Sequence, residues 1–248
     1  MKSLAIIPAR FASTRFPGKP LADIQGKPMI QHVYERTQQA KLVEQVIVAT
    51  DDERIKSAVL NFGGSVEMTA LTHQSGTDRC AEVAEKYSDF DFIINVQGDE
   101  PFIRSAQIDR VIEPLLSQTQ TQISTLAKKI ENREQLLNPN VVKVVFNQQH
   151  QALYFSRNAV PYLRDVPVGN WLQVADFYKH LGIYAFRREV LLTIAKLAPS
   201  RLEALEKLEQ LRWLEHDFSI KIVETQWESY GIDHPADLLA LQTEKHNS

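Results

Sequence analysis

The chain has 248 residues, with 28 Lys+Arg against 31 Asp+Glu for a net charge of −3, a hydrophobic fraction of 44% and a charged fraction of 24%. These values are those of an ordinary globular protein and exclude disorder, while the near-neutral balance gives no broad electrostatic case for nucleic-acid binding. Apolar runs reach only about six residues where a membrane span needs about 20, and Cys80 is the sole cysteine, which argues against membrane insertion, internal disulfides and thiolate metal clusters.

Met1-Lys2-Ser3 runs directly into Leu4-Ala5-Ile6-Ile7, too short a block for a signal peptide and followed at once by Arg10, so a cytoplasmic protein is expected. Leu4 to Ala9 reads as a first strand, Gln45 to Thr50 as a second and Phe92 to Gln97 as another. Helical periodicity lies between them. Pro28 to Ala40 places Met29, Ile30, Val33 and Tyr34 on one stripe, and Asp52 to Phe62 ends at the Gly63-Gly64 stop. Such alternation predicts an α/β fold, a doubly wound and mainly parallel sheet. Beyond residue 120, Ile123 to Ile130, Val141 to Phe146, Ala152 to Phe155 and Leu181 to Phe186 are strand-like and closely spaced, which predicts a smaller mixed, partly antiparallel lobe. Pro161 to Trp171 reads as the segment best suited to a mobile loop. Arg201 to Glu215 reads as one helix with Leu202, Leu205, Leu208 and Leu211 on a stripe. The expected division is a core over 1–120, a strand lobe over 121–190, and C-terminal helices and a strand over 191–248 that return to the core, forming one compact domain overall.

The segment after the first strand, Pro8-Ala9-Arg10-Phe11-Ala12-Ser13-Thr14-Arg15-Phe16-Pro17-Gly18-Lys19-Pro20, carries the most chemical information. In open α/β sheets, ligands bind beyond the carboxyl ends of strands. Arg offers forked donors, Lys a point charge and loop amides further donors, a content suited to an oligophosphate. The segment is not a P-loop, since Lys19 is followed by Pro20 and Ser13 stands where the first glycine belongs; nor does G-x-G-x-x-G, G-x-S-x-G or H-E-x-x-H occur.

Ile7-Pro8-Ala9-Arg10, Ser13-Thr14-Arg15-Phe16-Pro17-Gly18-Lys19-Pro20-Leu21 and Gly26-Lys27-Pro28-Met29-Ile30 resemble the opening of the sugar-activating cytidylyltransferases. Further blocks match in order: Ala49-Thr50-Asp51-Asp52, His73-Gln74-Ser75-Gly76-Thr77-Asp78-Arg79, Asn95-Val96-Gln97-Gly98-Asp99-Glu100-Pro101, Leu153-Tyr154-Phe155-Ser156-Arg157, His180-Leu181-Gly182-Ile183-Tyr184, Leu208-Glu209-Gln210-Leu211-Arg212 and Gly231-Ile232-Asp233-His234-Pro235. The similarity covers nearly the whole chain, and its sugar-facing blocks are nearest to those of the members that activate 3-deoxy-manno-octulosonate (Kdo) for lipopolysaccharide synthesis.

The resemblance implies a reaction of CTP with an acidic eight-carbon sugar to give a CMP-sugar and pyrophosphate, with Mg²⁺ as cofactor and a homodimeric assembly, and it makes 1–120 the nucleotide-binding core and 121–190 the lobe for sugar binding and dimerisation. It places the nucleotide on Pro8, Ala9, Arg10, Ser13, Lys19, Gln74, Ser75, Gly76 and Arg79. The sugar falls to Arg15, Gln97, Arg157, His180, Tyr184, Glu209 and Gln210. Catalysis falls to Arg10, Arg15, Lys19, Asp99 and Asp233, and the metal to Asp99 and Asp233, a pair that suits a cation preferring a few carboxylates plus phosphate oxygens. His234 departs from the Thr expected there. Blander roles stand beside these: Asp99 as a turn former, Asp233 as an N-cap, Ser75 or Thr77 opening a helix with Glu82 in its first turn, Arg157 pairing on the surface, His180 and Tyr184 as core, and Glu209 and Gln210 as solvated residues off the leucine stripe. No general base is evident, although His180 qualifies by type. A related acidic sugar, 8-amino-Kdo or sialic acid, or a non-catalytic nucleotide-sugar-binding protein, are the rival readings.

Overall fold

The computed structural model describes residues 1–12, 16–228, 230–232 and 234–238. They fall into two compact units, 1–109 together with 229–248, and 110–228.

In the first unit β1 (Ser3–Ala9), a small hairpin of β2 (Asp23–Ile24) and β3 (Lys27–Pro28), α1 (Met29–Gln38), β4 (Gln45–Thr50), α2 (Glu53–Asn61), β5 (Val66–Met68), α3 (Gly76–Lys86) and β6 (Phe92–Asn95) follow one another. β1 pairs in parallel with both β4 and β6, and β4 with β5, giving the order β6-β1-β4-β5. Leu4, Ile6, Ile7, Ile47, Val48, Phe92 and Ile94 are fully buried, as continuous apolar strands covered on both faces must be. α1 buries Met29, Ile30, Val33 and Tyr34, the expected stripe, with Pro28 as its cap. The Asp52 side chain accepts from Arg54 N at 2.9 Å to open α2, and Gly63 at φ 78° ends it.

The chain winds outward from β1 to β4 and β5, then returns to the opposite side of β1 for β6. This reversal creates a switch point between the carboxyl ends of β1 and β6, the place where open sheets leave a crevice. β6 stops two residues short of the sequence expectation. After Val96 N donates to Ile6 O at 3.0 Å, the chain turns through Gly98, where any Cβ would stand 2.7 Å from the Pro8 carbonyl oxygen.

α4 (Ser105–Ser117) carries the chain into the second unit, which continues with β7 (Ile123–Lys129), α5 (Arg133–Leu137), β8 (Lys143–Phe146), β9 (Ala152–Ser156), α6 (Trp171–Val174), β10 (Tyr178–Arg187), α7 (Arg188–Ile194), α8 (Arg201–Glu206), α9 (Gln210–Glu215) and β11 (Ile220–Glu224). β10 runs antiparallel to β7 and β8, and β8 to β9, while β11 lies parallel to β7. The mixed lobe is thus as expected. Residues 161–171 are less loose than their Pro and Gly content predicts: Trp171 is buried with Ile130, Leu136 and Phe177, and Leu163 and Val166 pack against that cluster.

The single helix expected over 201–215 is two. Lys207 adopts the left-handed conformation at φ 54° and ψ 47°, and its amide closes on Glu203 O. Arg157 stabilises the break from outside, donating from Nε to Glu206 O at 2.6 Å and from Nη2 to Lys207 O at 3.3 Å, so the end carbonyls of α8 have partners. The break resets the helical phase: Leu205 is 69% exposed whereas Gln210 is buried at 6%, so the leucine stripe and the solvated place given to Gln210 are both corrected. Lys207→Gly is expected to stabilise the protein by about 0.5–1 kcal/mol, because glycine adopts this conformation without a steric penalty; a urea unfolding midpoint at or below the parent's would contradict it.

Candidate active site

At the switch point the end of β1 supplies Pro8, Ala9 and Arg10 to a cleft, and the turn after β6 supplies Gln97, Gly98 and Asp99. Lys19 and Pro20 enter from the segment between β1 and β2, and His73, Ser75, Gly76 and Arg79 from the start of α3. The cleft therefore assembles nine residues expected from the sequence: Pro8, Ala9, Arg10, Lys19, Ser75, Gly76, Arg79, Gln97 and Asp99.

Lys19 Nζ stands 2.7 Å from Asp99 Oδ2 and 2.7 Å from Ile232 O. Ile232, fully buried against Ile24 and Met29, also donates its amide to Asp99 O at 2.9 Å. Asp99 is thus more than a turn former. Its carboxylate is held on one edge by an ammonium while the side chain stays about a third exposed, at 35%.

Ser75 caps α3 in a reciprocal box: Asp78 N donates to Ser75 Oγ at 3.1 Å and Ser75 N to Asp78 Oδ2 at 3.1 Å. The first-turn acid is Asp78, not Glu82. Glu82 Oε2 instead accepts from Ala70 N at 2.9 Å and lies 2.5 Å from His73 Nε2, which pins the loop entering the helix. The capped N-terminus of an eleven-residue helix thus points its partial positive charge into the cleft. A Cβ on Gly76 would come within 3.2 Å of the Pro8 ring, so glycine lets the helix approach β1 this closely without displacing that ring.

Arg79 is 3% exposed. Its Nη2 donates to Asp51 Oδ2 at 2.7 Å and its Nη1 to Thr69 Oγ1. The guanidinium is therefore a cation fixed in the cleft wall by two neighbours that sequence reasoning missed, although Asp51 stands in the Ala49-Thr50-Asp51-Asp52 block. Gln74 lies outside the cleft lining, exposed, with its Nε2 on Thr72 O at 2.9 Å. Ser13, Arg15 and Asp233 lie outside the described residues.

Five residues expected to meet the sugar belong to the second unit. Arg157 donates from Nε and both Nη atoms to the carbonyls of Glu206, Pro139 and Lys207; it closes a helix end instead of pairing with a surface carboxylate. His180 lies in an aromatic group with Phe155 and Tyr184, at centroid distances of 5.1 and 5.3 Å. Tyr184 in turn meets the Trp213 ring edge-on at 5.1 Å. Burial, and secondarily the Glu209 carboxylate, push the Tyr184 phenol well above its ordinary value. Glu209 stands at the N-cap of α9, next to buried Gln210.

The His180 Nε2 lies 3.0 Å from Thr125 Oγ1, and that hydroxyl also reaches the Ile183 carbonyl at 2.7 Å. The same hydroxyl also reaches the Leu181 carbonyl at 3.1 Å, so it ties the ring to the backbone at the bulge in β10. Burial lowers the His180 pKa to about 3, so the neutral ring is too weak a base for the role its residue type permits. An unfolded histidine titrates near 6.5, so between about pH 3 and 6.5 the unfolded chain binds the extra proton and stability rises with pH. Lowering the pH from 7 to 5 is expected to remove about 2 kcal/mol through this residue. His180→Gln should flatten that limb of the urea stability profile; an unchanged slope would show that the ring is protonated in the fold.

A cytidylyltransferase family model matches residues 4–222. A 3-deoxy-manno-octulosonate cytidylyltransferase of Geobacter metallireducens is 55% identical over 247 residues, 96% of this chain and 95% of its own length. One from Geotalea uraniireducens is 54% identical over 247 residues, 96% of each chain. The solved structure of CMP:2-keto-3-deoxy-manno-octonic acid synthetase complexed with CTP superposes with a TM-score of 0.92 at 42% identity, covering 100% of this chain and 99% of that one.

Proposed function

The chain belongs to the cytidylyltransferase family, and from that premise we propose that it joins CTP to Kdo, giving CMP-Kdo and pyrophosphate for lipopolysaccharide synthesis. The observation that carries this reading is the switch-point cleft itself, lined by Arg10, Lys19, Arg79 and the α3 N-terminus together with one carboxylate, Asp99. Cations and helix amides suit a triphosphate.

A sugar hydroxyl attacks the α-phosphorus in line. Its O–P bond forms as the bond from the α-phosphorus to the bridging oxygen breaks, and pyrophosphate leaves with that oxygen. The hydroxyl proton passes to solvent, since His180 is too weak a base to take it. Arg10 and Lys19 counter the charge that builds on the phosphate oxygens, and Arg79, immobilised by Asp51 and Thr69, contributes a field that needs no reorganisation.

Among the described residues no group of three or more His, Cys, Asp or Glu could enclose a metal. Mg²⁺ is nevertheless well served by one or two carboxylates when substrate phosphates complete its shell, and Asp99, partly exposed in the cleft, fits that donor set; the sequence offers Asp233 as the second. When bound, the ion would supply Lewis-acid stabilisation of the phosphates. The enzyme is read as a cytoplasmic homodimer; among the described residues no helix is long and apolar enough to cross a membrane.

The test is pyrophosphate release from CTP and Mg²⁺ with Kdo, 8-amino-Kdo and sialic acid in parallel. Release with Kdo at the highest kcat/KM is expected. Preference for another sugar would reassign the substrate, and CTP binding without release under any sugar would favour a binding protein.

A further inference from the structure

Arg10 and Lys19 line the cleft, and their chain neighbours Phe11 and Gly18 meet directly, Gly18 N donating to Phe11 O at 3.0 Å. Gly18 sits at φ 72°, and a Cβ there would meet the Phe11 ring at 3.0 Å, so the ring is pressed onto the backbone that precedes Lys19. The Arg54 guanidinium covers the Phe11 ring, its Cζ 3.3 Å from the centroid. Arg54 is itself fixed: Nε and Nη2 donate to the two oxygens of Asp52 at 2.9 and 2.6 Å, and Asp52 caps α2.

Taking the nucleotidyl-transfer reading as its basis, we propose that Arg54 is a positioning residue for the nucleotide, clamping Phe11 against Gly18 so that the neighbouring Arg10 and Lys19 are held at the spacing of the phosphates. Its charge is already matched by Asp52 in a forked pair, so plain electrostatic attraction of CTP is not its contribution. A planar guanidinium stacked on the ring and locked at its edge is what the geometry uses, and an ammonium cannot reproduce both contacts. The Arg54 side chain is 60% exposed, so replacing it leaves no cavity in the core.

The experiment compares Arg54→Ala, Arg54→Lys, Phe11→Leu and the Arg54→Ala/Phe11→Leu double variant in the full chain. It measures CTP binding by calorimetry, kcat and KM by pyrophosphate release, and thermal melting. CTP affinity is expected to weaken about tenfold or more in Arg54→Ala and nearly as much in Arg54→Lys, with melting essentially unchanged. The double variant is expected to be no weaker than the worse single one, as coupled residues require. Parental affinity in Arg54→Lys, full additivity in the double variant, or an affinity loss that tracks a fall in melting temperature would each overturn the clamp. Failure of the parent chain itself to bind CTP would refute the proposed function instead.

Discussion

Asp99→Asn is expected to lower the rate of CTP-dependent pyrophosphate release by roughly 10²-fold or more, with CTP affinity changed far less. The substitution preserves shape, and the backbone bond from Ile232 N to Asp99 O at 2.9 Å remains. What it removes is the negative charge. In the parent the Lys19 ammonium holds one oxygen of this carboxylate at 2.7 Å, and the residue lines the cleft. Lys19 keeps its second acceptor, the Ile232 carbonyl at 2.7 Å, so the cationic wall that attracts the triphosphate survives. Binding and chemistry therefore separate, as they do when an interaction is stronger in the transition state than in the ground state. Calorimetry with CTP and a Mg²⁺ titration of turnover give the two halves of the measurement. Parental turnover at ordinary Mg²⁺ would remove Asp99 from the reacting phosphates.

Legibility from sequence followed the range of the forces involved. The strands of the first unit were readable because a parallel strand buried on both faces must be a continuous apolar run, and Gln45–Thr50 is recovered to the residue. The cleft is readable in part because binding loops follow strand ends, which points to Arg10 and Lys19, while Asp99 comes from the resemblance. The break in the helix over 201–215 was hidden, because nothing local announces that Arg157, 49 residues from Glu206, supplies the carbonyl partners that let it end. Gln210 was misplaced for the same reason: a stripe counted through Lys207 carries the wrong phase beyond it. His180 by type alone left both a base and a core residue open, and the desolvation that makes it neutral is a property of the packed fold. Arg79 is readable as a nucleotide residue through the resemblance, but its lock on Asp51 and Thr69 joins three separate stretches of chain.

That lock has a large expected cost when half of it is removed. Asp51→Ala should destabilise the first unit by about 3–5 kcal/mol, because an Arg79 side chain only 4% exposed then keeps its charge without the carboxylate, itself 14% exposed, that neutralises it. Thr69 Oγ1 remains as an acceptor, but a neutral oxygen cannot replace the ion pair. Removing both partners has a different outcome: Asp51→Leu with Arg79→Met takes away the buried charge altogether, and apolar side chains of similar volume often restore most of the stability of such a pair. The double variant should therefore unfold at a higher urea concentration than Asp51→Ala, and yet bind CTP more weakly than the parent, since the cleft has lost a fixed cation. Urea unfolding of the three proteins and calorimetry of the two that fold best measure both effects. A cost below about 1 kcal/mol for Asp51→Ala, the range of exposed pairs, would mean that water reaches the guanidinium and that Arg79 is not the rigid part of the cleft wall its contacts describe.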